Sequence, residues 1–113
     1  MKVYGIANCN TVKAVRAWLE ARKLAYEFVD FKKAPPTADL LARWCKTFGW
    51  ETVLNRRGTT WRQLPPAVQA GVRDEKSAIA LMLEKPTVIK RPIIDDGRPR
   101  LIGFDEARYA KTL

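Results

Sequence analysis

Apolar residues along this chain follow two rhythms, and the change from one to the other lays out its elements. Val3 to Ile6 is a short apolar run that predicts a first strand. Between Thr11 and Leu19 the apolar positions Val12, Val15, Trp18 and Leu19 recur at i, i+3, i+6 and i+7, the stripe of an amphipathic helix. Arg22 takes the next stripe position, so the apolar face stops there, while Lys13, Arg16, Glu20 and Lys23 supply a polar face. Tyr26 to Phe31, rich in aromatic and β-branched residues, predicts a second strand. A strand, a helix and a strand within roughly 30 residues make a βαβ unit with parallel pairing and a right-handed crossover.

Pro35-Pro36 closes that unit. Thr37 is a good N-cap for a helix carrying Leu40, Leu41, Trp44, Cys45 and Phe48 inward, stopped near Gly49. Trp50 to Leu54 reads as a short helical turn, Asn55 to Thr60 as a polar loop, and Pro65 to Ala70 as another short helix. Asp74 or Ser77 opens the next helix, with Ala78, Ile79, Met82 and Leu83 facing the core. After Pro86 the pattern turns to strands, Thr87 to Lys90 and Pro92 to Asp95. Asp96-Gly97 then signals a tight turn before the apolar pair Leu101-Ile102. Asp105 caps a last helix that runs to Leu113. The plan is βαβ, a helical insertion over about residues 37–85, then ββα, in one domain spanning 1–113.

Composition narrows the chemistry. At 47% apolar, 113 residues can bury a core without disulfide staples, and no apolar run approaches the roughly 18 residues of a membrane span. No leader-like segment opens the chain, so the cytoplasm is the expected location. The net charge of +9 draws anions in general, an acidic protein being one candidate partner, but selects none. No basic stripe interleaved with aromatics appears, so direct nucleic-acid binding is not expected. The absence of histidine removes Cys–His and Ser–His nucleophile pairs, and two distant cysteines alone make no metal site.

Cys9 sits where the first strand passes through Ala7-Asn8 into the first helix. A thiol there lies beside unpaired backbone N–H donors and the positive end of the helix dipole, both of which favour the nucleophilic thiolate. Its neighbours Asn8, Asn10 and Thr11 are polar and suit a helix start. The dipole is worth typically 0.3–1 and at most about 2 kcal/mol, or at best some 1.5 pK units from a free value near 8.5, so alone it makes the thiolate no more than about half of the thiol at pH 7. A nearby guanidinium tips the balance. Cys45 lies on an apolar helical face and reads as core packing.

Four segments, in order, resemble the arsenate reductase family (ArsC/Spx), and within it the YffB branch. They are Tyr4-Gly-Ile-Ala-Asn-Cys-Asn-Thr-Val-Lys13, Leu54-Asn-Arg-Arg-Gly-Thr-Thr-Trp61, Ile89-Lys-Arg-Pro-Ile-Ile94 and Leu101-Ile-Gly-Phe104. The resemblance covers nearly the whole chain. It implies an α/β, thioredoxin-like fold with a mixed four-stranded sheet and a helical insertion between the βαβ and ββα halves. It also implies Cys9 as nucleophile, Arg91 as its cationic neighbour, Pro92 as the fold's cis proline, and Arg56 as an anion-binding residue. Substrate contacts fall on Arg56, Asn8, Asn10, Thr11 and Pro92.

The activity implied is that of a glutathione-dependent thiol reductase, with glutathione as co-substrate, thiol and disulfide compounds as partners, and no metal. Two further readings stand beside it. Arsenate reductases of the family carry a third anion-binding arginine where this chain has Gly103, which counts against arsenate as substrate. Spx proteins act through RNA polymerase and typically carry a local dithiol, whose second position is occupied here by Val12.

Overall fold

The computed structural model describes all residues, 1–113, and its chain divides into two compact units. The first comprises Met1–Ala34 with Arg91–Leu113; the second is Pro35–Lys90, within which the insertion expected over 37–85 falls.

In the first unit, strand β1 (Lys2–Gly5) leads to helix α1 (Asn10–Ala21) and strand β2 (Glu27–Asp30). Val12, Val15, Trp18 and Leu19 are the buried residues of α1, as the periodicity predicts. Each fully buried Val or Leu contributes about 1.5–3 kcal/mol relative to exposure, so this stripe rather than helix propensity holds α1 in place. Gly5 sits beneath it: a Cβ built there would lie 2.7 Å from the Val12 Cγ2, so only glycine allows helix and strand to approach this closely. At the other end, Arg22 closes α1 and Lys23 adopts φ 57°, with Lys23 N–H donating to the Glu20 carbonyl and Leu24 N–H to that of Leu19. That is a Schellman termination with lysine where glycine is usual.

The unit returns through strand β3 (Ile93–Asp95), strand β4 (Pro99–Ile102) and a terminal helix (Glu106–Thr112) capped by Asp105, whose carboxylate accepts from the Arg108 N–H at 3.2 Å. The sheet is four-stranded and mixed, in the order β2-β1-β3-β4. β1 pairs parallel with β2, as a βαβ unit requires, and antiparallel with β3, which pairs antiparallel with β4. Val3, Val15, Trp18, Leu19, Ile94, Leu101 and Tyr109 pack as one cluster. Trp18 meets Tyr109 edge-to-face at 5.7 Å, and Tyr109 meets Phe104 likewise at 5.0 Å.

The second unit is helical. Helix α2 (Ala38–Phe48) starts at Thr37, whose hydroxyl accepts from the Leu40 N–H, and ends at Gly49; Leu41, Trp44 and Cys45 are buried. Short helices α3 (Trp50–Val53), α4 (Thr59–Arg62) and α5 (Pro66–Ala70) follow, then α6 (Glu75–Glu84). Asp74 caps α6 in a reciprocal box with Ser77. Three expectations are corrected. The polar loop ends at Gly58, because Thr59 and Thr60 already belong to α4. On α6 the buried residues are Ala78, Leu81 and Met82, while Leu83 is 43% exposed. Finally, Thr87 to Lys90 is no strand. Pro86 opens a 3-10 turn, Pro86–Val88, its fixed φ suiting a first helical position, and only Ile89 makes an isolated antiparallel bridge, to Leu54.

Candidate functional site

Cys9 is the N-cap of α1, with extended backbone (φ −86°, ψ 127°). The turn that delivers it is closed by its own N–H donating to the Ile6 carbonyl at 3.1 Å, and its carbonyl begins the helix by accepting from the Lys13 N–H at 2.9 Å. Its backbone is therefore held at the head of the helix, and the residue is only partly buried.

Arg91 arrives there through the sheet. Lys2, Val3 and Tyr4 face Asp95, Ile94 and Ile93, so β3 begins at the end of β1 from which Cys9 emerges, with Arg91 two residues before it. The Arg91–Pro92 peptide bond is cis, and Pro92 is buried. On its other side, Pro92 is tied to β4, its carbonyl accepting from the Gly103 N–H at 2.8 Å.

The electrostatics follow from this placement. Partial burial is the largest single influence on the Cys9 thiol and works against ionisation. It is outweighed by the Val12 N–H, a hydrogen bond from the Arg91 side chain, the Thr11 N–H and the Arg91 charge, so the thiol lies below its ordinary pKa. The two helix amides act as oriented dipoles beside the sulfur, without closing a formal cap hydrogen bond. Two backbone amides and a guanidinium thus favour the ionised form of this thiol, with no imidazole involved. Cys45, in the second unit, is its opposite: burial, and then the Glu75 charge, push its thiol up to about 11.

Of the site residues expected from sequence, Cys9, Arg91 and Pro92 gather at one end of the sheet of the first unit, with Asn8, Asn10 and Thr11 exposed around the sulfur. Thr11 contributes through its backbone N–H. Arg56 belongs to the second unit, where it lies exposed, 3.5 Å from Glu51 and with its guanidinium 5.6 Å from the Trp50 ring centre. The contribution of the Val12 amide went unrecognised in the sequence, where Val12 registers as core. The third N–H after a capping residue was the available signal. Gly103 has φ 70° and is buried, its carbonyl accepting from the Tyr109 hydroxyl at 2.6 Å. The backbone there, not a missing side chain alone, separates this chain from a third anion-binding arginine. No group of three or more His, Cys, Asp or Glu side chains is placed to hold a metal, and no helix is long and apolar enough to cross a membrane.

A solved structure of a YffB protein is 47% identical to this chain with a TM-score of 0.93, covering 99% of this chain and 97% of its own. An uncharacterised protein of Haemophilus influenzae is 38% identical over 107 residues, 95% of this chain and 93% of the relative. The global transcriptional regulator Spx of Streptococcus agalactiae is 27% identical over 101 residues, 88% of this chain and 72% of the regulator. The ArsC family model matches residues 4–112. With a thioredoxin-like mixed sheet that carries the thiol at the head of its first helix, this chain belongs to the ArsC family.

Proposed function

We propose that this protein is a glutathione-dependent thiol reductase acting through Cys9 alone. One observation carries the reading: Cys9 is partly accessible, and its thiol is held below the ordinary range by the Val12 and Thr11 amides and by Arg91 against the opposing effect of burial. The Cys9 thiolate attacks the glutathione sulfur of a mixed disulfide, forming a Cys9–glutathione disulfide and releasing the substrate as a thiolate that takes up a proton. A second glutathione, as thiolate, attacks that adduct at the glutathione sulfur. Oxidised glutathione leaves and the Cys9 thiolate returns, so each turn consumes one glutathione thiol, the other half of the oxidised glutathione coming from the mixed disulfide. Arg91 stabilises the sulfur anion before attack and after release, and Asn8, Asn10, Thr11 and Pro92 border the substrate. The cycle belongs in a reducing compartment such as the cytoplasm.

Two relatives' activities fit less well. Val12 is completely buried at the position of a local second thiol, so a dithiol switch of the Spx kind has no partner next to Cys9. Arsenate reduction lacks its third arginine at Gly103. The test is reduction of a small glutathione mixed disulfide, coupled to recycling of oxidised glutathione. Turnover lost in Cys9→Ser, with a single glutathione adduct by intact mass, supports the proposal. Absent turnover, or an adduct on Cys45, overturns it.

A further inference from the structure

The second unit holds a groove of about 350 Å³ with Glu51, Asn55, Arg56, Arg57 and Lys90 among its walls. Its frame is rigid. Lys90 N–H donates to the Val53 carbonyl at 2.8 Å and Asn55 N–H to that of Val88 at 2.8 Å, on either side of the Leu54–Ile89 bridge. The Asn55 side chain then accepts from the Arg57 N–H at 3.2 Å, setting the turn on which Arg56 and Arg57 stand.

Three cations thus line one groove against a single carboxylate, Glu51. The Arg56–Glu51 contact, at 3.5 Å with both side chains well exposed, is longer than the roughly 2.7–2.9 Å of a charge-assisted hydrogen bond. Such a contact contributes little and yields readily to a competing anion. Arg57 and Lys90 carry no ion pair of their own. We propose that this groove binds a carboxylate of a small anionic peptide of the glutathione class, with Arg57 and Lys90 as the determining residues beside Arg56. The inference rests on the proposed function for the identity of the ligand, and on the groove's charge for the binding.

The probe is S-methylglutathione, which keeps both carboxylates and has no thiol to exchange. Titrated into the full-length protein and followed by backbone amide shifts, it is expected to move Asn55 to Gly58 and Lys90. The double variant Arg57→Ala with Lys90→Ala should bind it about tenfold or more weakly, the loss expected when charged hydrogen bonds are removed. Arg57→Gln and Lys90→Gln, milder changes that leave the backbone frame untouched, should each show part of that loss. The dimethyl ester of the probe should bind no better to the parent than the probe does to the double variant. Shifts confined to other segments, or an affinity unchanged in all three variants, overturn the proposal. So does inorganic phosphate binding as tightly with the same shifts, since the groove would then be an adventitious anion site. Because the probe cannot react, failure of turnover leaves these results intact, and turnover in the absence of binding refutes only the groove.

Discussion

The Tyr109 hydroxyl donates to the Gly103 carbonyl at 2.6 Å, and that bond steadies the strand end beside Pro92. Gly103 N–H in turn donates to the Pro92 carbonyl at 2.8 Å, so the terminal helix is linked through two hydrogen bonds to the cis peptide that follows Arg91. Tyr109 is 1% exposed, and burial pushes its phenol far above its ordinary pKa. Tyr109→Phe keeps the ring contacts with Trp18 and Phe104 and removes only the donor. It should destabilise the fold by about 1–3 kcal/mol, the cost of leaving a buried acceptor without its partner. Urea unfolding checks this, and a midpoint equal to the parent's would show the bond to be dispensable.

Gly103 itself makes a second expectation. At φ 70° a Cβ crowds the following carbonyl, at a cost of roughly 1–2 kcal/mol. Gly103→Ala should lose about that much stability, and Gly103→Arg at least as much. Restoring the arginine found in arsenate reductases is therefore expected to yield a weakened fold and no arsenate reduction. Thermal melting and an arsenate-dependent turnover assay on the two variants decide it.

The Cys9 thiol gives the stability of the fold a pH dependence. Cys9 ionises more readily in the fold than in the unfolded chain, so its contribution to stability is full above the unfolded value near 8.5 and is lost as pH falls through the folded value. Replacing Cys9 with serine should flatten that slope. Its alkylation rate by iodoacetamide should reach half its plateau below the pH typical of a free thiol, and Arg91→Gln should move that midpoint upward. A midpoint that stays in place removes Arg91 from the role assigned to it.

How much of this was legible in the sequence depends on how local each cause is. The α1 stripe and the caps Thr37, Asp74 and Asp105 could be read directly, since each rests on residues a few positions apart. The head-of-helix position of Cys9 could be read for the same reason. The position of Arg91 depends on strand register, which no local pattern encodes, and it came only from family resemblance. Thr87 to Lys90 was misread because β-branched Thr87, Val88 and Ile89 suit a strand by propensity, while Pro86 and the bridge to Leu54 decided otherwise. On α6 the expected inward positions Ala78 and Met82 are buried, but the packing selects Leu81 in place of Leu83, a choice that the tertiary neighbours make and the local pattern does not carry.

The contrast between the two cysteines is open to direct measurement. With its thiol pushed up to about 11 and only 3% of its surface exposed, Cys45 should not react with iodoacetamide or oxidised glutathione at pH 8 in the folded protein. Mass spectrometry should find modification of Cys9 alone under those conditions, and of both cysteines once urea unfolds the chain. Rapid labelling of Cys45 in the native state would show that the second unit opens far more easily than its packing implies.

The end of α1 offers an improvement in stability that the rest of the molecule does not require. Lys23 occupies a left-handed conformation, φ 57°, so that its N–H reaches the Glu20 carbonyl at 3.0 Å and the Leu24 N–H reaches that of Leu19 at 3.0 Å. Any side chain there sets Cβ against the next carbonyl, and glycine avoids the clash at a smaller entropic cost than it incurs elsewhere. Lys23 is exposed and makes no ion pair, so nothing else is lost on its removal. Lys23→Gly should therefore stabilise the protein by about 0.5–1 kcal/mol, whereas Lys23→Val, with a branched Cβ in the same conformation, should destabilise it. Chemical denaturation of the two variants gives opposite signs if the left-handed residue is strained; a loss of stability in Lys23→Gly would mean that the lysine's backbone rigidity outweighs its strain.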